Sequence, residues 1–438
     1  MGDSDDGFAT YLAPFFDYNG DGFYDANNGD HPLFCGDATV YSIMNDLYIR
    51  PTSPFWVPGL GVEVHTQYYT FFSNEPELFN TLFIHKRMIN RSSVNYSDMY
   101  LAVWNDFDIG NFIDDYVGTD VQRSMIYGYN GDDFDMGSQN SPGYGDDLPM
   151  LGMRILGGPF KDANGIDDEP LSTQYTSYAN QTTGWGDGMA DNERLGLATS
   201  LYHSNFGQGA PTPTTDPVVP IDYYNFMRGS WKDGTPMSVG GLGYSPFGNP
   251  TLTSYIFPGL SDPLLAGTNG VDPNFPDPAG WTEETSSNPP GDRRMLASSG
   301  PFTFGPGEEQ YFDVAYIFAR DSHEPGVDVL ETLRSYADAI VGMACGPLPQ
   351  MVLGATDINP ESLGLRLYPN PAKDRVTLES HSLTTGRYSI YDLIGKVVMQ
   401  GNTSGSRTEI SVSHLPKGLY LVRFEVDAAA AVQKLVVE

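Results

Sequence analysis

EQYFDVAYIFA, residues 309–319, alternates Phe312, Val314, Tyr316 and Phe318 with Asp313 and Ala315. A period of two sends successive side chains to opposite faces, so the stretch predicts a half-buried antiparallel strand. Four more runs read as strands: GVEVHTQYYTFF (61–72), FNTLFIHKRMIN (79–90), MYLAVWND (99–106) and MLGMRILGG (150–158). EPGVDVLETLRSYADAIVG (324–342) differs: Val329, Leu330, Leu333, Tyr336, Ala337, Ile340 and Val341 form one apolar stripe at helical spacing, with Pro325 suited to the first turn. The expected fold is mainly β: a β-sandwich-type body with long loops and one amphipathic helix packed on its sheet.

Composition narrows the function. The chain has 438 residues, 40% hydrophobic and 13% aromatic, enough for a sizeable core, and a formal net charge of -33. Such an anion repels nucleic acid and anionic membranes and favours cations. Cys35 and Cys345, the two cysteines, leave open one long-range bridge or two buried thiols, and exclude a disulfide framework or a four-thiolate zinc site. No 18-residue apolar run exists, so no membrane-spanning helix is expected. The acidic start, MGDSDDGFATYLAPFFDYNG, has no basic segment followed by an apolar one, so no signal peptide is read there, and the expected start of the protein lies further upstream. Residues 205–300, rich in Gly, Pro, Asn and Ser, read as long irregular loops whose aromatics argue for packing.

Charge also places a boundary. Residues 361–438 hold 9 Lys+Arg against 8 Asp+Glu, leaving 14 against 48 in residues 1–360. The tail alternates short strand runs with turn signals: RVTLES, YSIYDLIG, KVVMQG, TEISVSHL, LYLVRFEV and VQKLVVE. Tyr420, Val422, Phe424 and Val426 share a face, and Gly395, Pro416 and Gly418 mark corners. The expected organisation is an acidic β-rich body at 1–345, a linker at 346–362, and a small immunoglobulin-like β-sandwich at 363–438.

That tail resembles the type A C-terminal sorting domain of the type IX secretion system of Bacteroidota. The residues that carry the resemblance are Leu367, Tyr368, Pro369, Asn370, Pro371 and Ala372, then VTLES, YSIYDLIGKVV, LPKGLYLVRF and QKLVVE. It implies the type IX machinery as partner and delivery to the cell exterior, secreted or at the outer surface. Pro369 and Pro371 fix φ and are expected to hold the approach to the first tail strand extended. The body is similar to a group of secreted Bacteroidota proteins carrying this tail, through FFDYNGDGFYD, GWGDGMADNERLG, WKDGTPM and DRRMLASSGPFTFGPGE. That second resemblance implies no activity.

The strongest site signal is DYNGDGFYDANNGD (17–30). Asp17, Asn19 and Asp21 stand at calcium-loop positions 1, 3 and 5, Gly22 at the turn, and the Phe23 carbonyl and Asp25 at 7 and 9. Asn28 occupies position 12, so Asp30 is expected to close the site, as in the thrombospondin type 3 repeats that the stretch resembles. Weaker acidic clusters are Asp187, Asp191 and Glu193; Asp162, Asn164, Asp167 and Asp168; and Asp106, Asp108, Asp114 and Asp115. Ca²⁺ is the expected cofactor, because crowded carboxylates repel until a cation screens them. For a ligand, Trp231 is expected as a sugar platform with Lys232 and Asp233 on the hydroxyls.

No paired zinc histidines, nucleophile elbow or phosphate loop stands out. The reading is a non-catalytic, calcium-stabilised surface protein binding glycan or another surface partner. The alternatives are a polysaccharide hydrolase with its cleft among the 205–300 loops, and a structural module of a surface assembly.

Overall fold

The computed structural model describes residues 13–16, 18, 23–46, 59–138, 141–205, 209–262, 264, 280–320, 328–345, 366–379, 385–391, 397–405, 407–426 and 429–437. The expected linker, Pro325 and Gly395 lie outside them. Two compact units emerge, one of residues 37–346 and one formed by the two ends of the chain. Both cysteines are disulfide-bonded, so the two-thiol alternative falls.

In chain order, β1 (Phe15–Phe16) pairs with β2 (His31–Pro32). Then follow β3 (Ala38–Asn45), β4 (Val62–Thr70), helix α1 (Pro76–Phe79), β5 (Thr81–Asn90), β6 (Tyr96–Asp106), β7 (Asp115–Asp120) and β8 (Met125–Asn130). Next are β9 (Asp135–Ser138) and β10 (Ser141–Gly145), a separate hairpin, then β11 (Pro149–Gly157), β12 (Thr199–Ser204), helix α2 (Pro220–Met227), β13 (Arg293–Phe304), β14 (Glu309–Arg320) and helix α3 (Val329–Ala339). An antiparallel seven-stranded sheet has the order β3-β4-β5-β14-β11-β8-β7, and a three-stranded sheet has the order β12-β13-β6. Ile84, Val117, Ile126, Met153 and Val314 of the first sheet share one core with Leu201, Met295, Leu296 and Phe302 of the second. The chain is mainly β, as read from the sequence.

All five expected body strands are present, but β14 is not half-buried. Phe312 and Val314 face the shared core, and Tyr311, Asp313, Ala315, Ile317 and Ala319 on the opposite face are buried as well. The second face is covered because α3 packs across β11 and β14. Asp328 caps that helix by accepting the Leu330 N–H at 2.8 Å, which places its start after Pro325. Leu333, Ala337 and Ile340 are fully buried. A Cβ on Gly152 would come within 3.1 Å of Leu333, so glycine lets the helix approach β11. Arg154 on β11 reaches the last turn of α3 and donates to the Ala337 carbonyl, where the helix dipole favours a cation. Burial pushes that guanidinium down to about 10.

Asp313 is the charge hidden by this cover, only 1% exposed. One oxygen lies 2.6 Å from His85 Nδ1 on the opposing position of β5, and the other accepts from Arg194 Nη1 at 2.6 Å. Arg194 also donates to the carbonyls of Gly158 and Gly157, both at 2.7 Å. A Cβ on Gly157 would strike the guanidinium at 2.7 Å, so the bare backbone seats it. Burial alone would raise the Asp313 carboxyl, but His85 and Arg194 together hold it below the usual carboxylate range.

The 205–300 segment departs from the irregular reading. It contains α2 and the start of β13, and Phe226, Trp231, Ile256, Phe257 and Trp281 insert into the body core.

In the tail, β15 (Arg366–Tyr368), β16 (Arg375–Glu379) and β19 (Arg407–Ser411) form one sheet. The other, with strands β17 (Thr385–Tyr391), β18 (Val397–Ser404), β20 (Gly418–Val426) and β21 (Ala429–Val437), has the order β18-β17-β20-β21. Val376, Leu378, Ile390, Ile410, Tyr420, Val422, Phe424 and Leu435 make a core of their own, as expected of an immunoglobulin-like sorting domain. Pro369 and Pro371 do not extend an approach. β15 precedes them and pairs antiparallel with β16, so they lie in the connection that reverses the chain, both after cis bonds.

Asp313→Asn should cost about 3–5 kcal/mol at neutral pH, because it leaves the buried Arg194 charge without its counter-ion. The depressed carboxyl contributes stability that is complete above its ordinary value of 3.8 and is lost as pH falls through the lower folded value. Thermal melts from pH 7 to pH 3 should show an acid limb in the natural chain that is diminished in the variant.

Candidate functional site

Each acidic loop is built differently. Of the best sequence signal, Asp17, Asn19, Asp21 and Gly22 lie outside the described residues. In the remainder, Asp30 is buried and accepts the Tyr18 N–H at 2.9 Å and the Asp25 N–H at 2.7 Å, so it closes the loop through amides. Asp25 accepts from Asn27 N at 2.9 Å and Asn28 Nδ2 at 3.0 Å, while the Phe23 side chain is exposed.

The two weaker clusters that are distant in sequence interlock in space. Asp191 takes the N–H groups of Asn164 and Gly165 at 2.6 and 2.8 Å, and Asp167 takes those of Gly186 and Gly188 at 2.8 and 2.6 Å. Buried Glu193 accepts the Asp168 N–H at 2.6 Å, and Asp168 is paired with Lys161 at the same distance. Asp187 holds Met189 N and Asn192 Nδ2, and Asp162 reaches across to Thr303. These carboxylates bind backbone, and the two segments staple each other.

Carboxylate oxygens converge elsewhere. Asp106 ends β6, Asp108 stands two residues later, and Asp292 immediately precedes β13. Antiparallel pairing sets Asp106 opposite Arg294, so the three acids meet at one sheet end with oxygens within 4.8 Å of one another. Asp292 is 4% exposed; one oxygen accepts from Asn205, and the other lies 3.0 Å from Arg294 Nη1 without hydrogen-bond geometry. Arg294 Nε is 3.4 Å from Asp106. Burial raises both Asp106 and Asp292 above the usual range, Arg294 offsets it in part, and Asp108 adds to it. One guanidinium therefore undercompensates three carboxylates.

Beside them, Trp104 Nε1 donates to His203 Nε2 at 3.1 Å, and Asp216 lies 3.1 Å from His203 Nδ1. A donor on Nε2 puts the ring proton on Nδ1, and burial pushes this histidine down to about 4 despite Asp216. Asp114 and Asp115 do not join the cluster. Asp115 is buried, accepts the Ile109 N–H at 3.0 Å, and is pushed up to about 9 by burial, while Asp114 holds Asn111 Nδ2 at 2.7 Å.

Sequence reading found Asp106 and Asp108 but missed Asp292, whose signal is an acid flanking a strand, and His203, which has no local signal. It misplaced the sugar platform. Trp231 is fully buried, its Nε1 donates to the Gly243 carbonyl at 2.9 Å, and Tyr202, Phe226 and Tyr244 pack around it. Lys232 Nζ is bound to Thr215 and the Asp216 carbonyl, and Asp233 to Thr235 N and Tyr244 OH. An enclosed indole presents no face to a ligand.

The sorting motif is tied to the end of the chain. Asn370 donates to the Lys434 carbonyl at 2.6 Å and accepts the Val436 N–H at 2.8 Å, and Ala372 N donates to the Val436 carbonyl at 2.8 Å. Arg407 donates to the Tyr368 hydroxyl at 2.8 Å, Gly418 opens β20, and the Tyr420 hydroxyl donates to the Pro416 carbonyl at 2.7 Å.

Residues 366–438 match the family described as the secretion system C-terminal sorting domain. The tail is thus a type IX sorting domain, which implies contact with that machinery and a secreted or outer-surface location. No curated protein matches. Among solved structures, a polysaccharide lyase aligns over 91% of this chain and 39% of its own, at 8% identity and a TM-score of 0.22. A score that low carries no argument about fold or activity. No helix among the described residues is long and apolar enough to cross a membrane.

Because Asp167 and Asp191 staple the same two segments, their effects should couple. Each change to Ala should cost about 1–3 kcal/mol. The double variant should lose less than the sum of the two, with a coupling above about 0.5 kcal/mol in a denaturation cycle.

Proposed function

We propose that this chain is a calcium-stabilised β-sandwich cargo of a Bacteroidota type IX secretion system, working outside the cell by binding a glycan or another surface partner rather than by catalysis. The observation that carries the reading is the sorting domain at 366–438, with a core of its own beside a far more acidic body. A cargo outside the cell meets calcium directly, and hard carboxylate oxygens suit that ion.

Support for the cation comes from Asp106, Asp108 and Asp292. Their oxygens converge, Arg294 alone does not balance them, and the buried Asp292 oxygen facing it makes no hydrogen bond among the described residues. The loop closed by Asp30 is read as a second calcium site of the thrombospondin type 3 kind, with Asp17, Asn19, Asp21, Asp25 and the Phe23 carbonyl as its other ligands. Binding is favoured over catalysis because His203, the histidine beside the carboxylates, is buried, receives the Trp104 Nε1–H on Nε2 and is held neutral by burial.

Calcium at 100 times its dissociation constant should add about 2.7 kcal/mol per site to the stability of the folded chain. The melting temperature should therefore rise with calcium and fall with EDTA, and Asp292→Asn should reduce the calcium-dependent rise. An unchanged melting temperature would remove the cation from the reading. In a type IX host, loss of residues 366–438 should keep the body inside the cell; undiminished appearance in the medium would overturn the export reading.

A further inference from the structure

A concavity of about 220 Å³ opens in the segment held down by Arg194, walled by residues between 170 and 185. None of the ten side chains that line it is charged, in a chain with net charge -33. They are hydroxyls, one amide, one proline and three aromatic rings. Tyr175 and Trp185 are half-buried, packing against the body core while also bordering the opening. Trp185 is oriented by its Nε1 bond to the Arg194 carbonyl at 2.9 Å, and Tyr175 lies against Tyr178 with ring centroids 5.5 Å apart.

The wall is rigidly built. Tyr178 and Gln181 exchange backbone hydrogen bonds across a tight turn whose central residues, Ala179 and Asn180, have φ of 46° and 65°. A left-handed alanine is strained, and strain of this kind gathers where a loop must present particular groups. Gln181 uses its Oε1 on the Leu171 N–H at 2.6 Å. Its Nε2 and the Tyr175 hydroxyl make no hydrogen bond among the described residues, so each is available to a ligand.

We infer that this concavity is a subsite for one ring of a neutral saccharide, which assigns the glycan of the proposed function to residues 170–185; the inference rests on that reading. A cation would be drawn to the acidic loops, and an anion is repelled by the field of the whole chain. Thr176, Ser177, Tyr178 and Thr182 already spend their hydroxyls on Arg154, Gln122, Asp262 and the Arg194 carbonyl, so an apolar ligand would leave the Tyr175 hydroxyl and the Gln181 amide N–H unpaired. A neutral sugar offers hydroxyls to Gln181 and Tyr175 and C–H faces to the aromatic rings.

The test is calorimetric titration of the calcium-replete chain with cellohexaose, xylohexaose, mannohexaose and laminarihexaose, and with oligogalacturonate as an anionic control. At least one neutral oligosaccharide should bind with a millimolar or tighter constant, and Tyr175→Ala should weaken it at least tenfold. Should that variant not fold, Thr173→Trp, at an exposed position on the rim, fills the space and should abolish binding with the melting temperature preserved. Absence of binding by all four, preference for oligogalacturonate, or binding untouched by Thr173→Trp overturns the subsite. Those results leave the calcium and export readings to their own measurements.

Discussion

The body depends on a single buried carboxylate. Asp313 lies in the middle of the central strand of the seven-stranded sheet, on its buried second face, and His85 and Arg194 together make its charge tolerable. The same arginine spends its other donors on Gly157 and Gly158, so the chain leaving β11 is clamped at its root while residue 194 is clamped at its far end. Everything between is thereby positioned, including the interlocked acidic loops and the Tyr175–Trp185 concavity. Trp185 and Thr182 both bind the Arg194 carbonyl, so the guanidinium fixes the sheet side and the peptide group fixes the wall.

How far this was legible follows from range. Strands such as 62–70 and 309–320 declare themselves because alternation is local, and the helix at 329–339 because its stripe and its Asp328 cap are local. The second face of β14 was not legible. Asp313 looks like a solvent residue until α3 and Arg194 arrive from about 20 residues downstream and 119 upstream. β13 hides for a related reason: its serines and glycine break the apolar pattern, yet Ser298 and Ser299 are buried in the three-stranded sheet. Trp231 was misread because sequence distinguishes an aromatic in a loop from one in a core only through its partners, and Tyr202, on β12, is remote from it along the chain. The acidic loops were found as clusters, but their reciprocity, Asp191 holding 164–165 and Asp167 holding 186–188, belongs to the folded chain alone.

The acidic residues also follow an order of compensation. Where backbone N–H groups can be aimed at a carboxylate, as at Asp167 and Asp191, the loop supplies its own positive ends. Where the carboxylate is buried in the sheet, as at Asp313, or between α3 and its neighbours, as at Asp120, arginine is used. Asp106, Asp108 and Asp292 satisfy neither condition: they lie at a strand end, where few amides are free, and share one arginine. Residual negative potential accumulates there.

In the tail the logic is mechanical. The motif that opens the domain and the strand that ends it are bound to each other, since Asn370 inserts its side-chain amide between the Lys434 carbonyl and the Val436 N–H as another strand would. Ala372 continues the pairing on Val437. The two sheets therefore close only when the last residues are present, and a chain cut short would lose the seat of Asn370 together with part of the core around Leu435 and Val437.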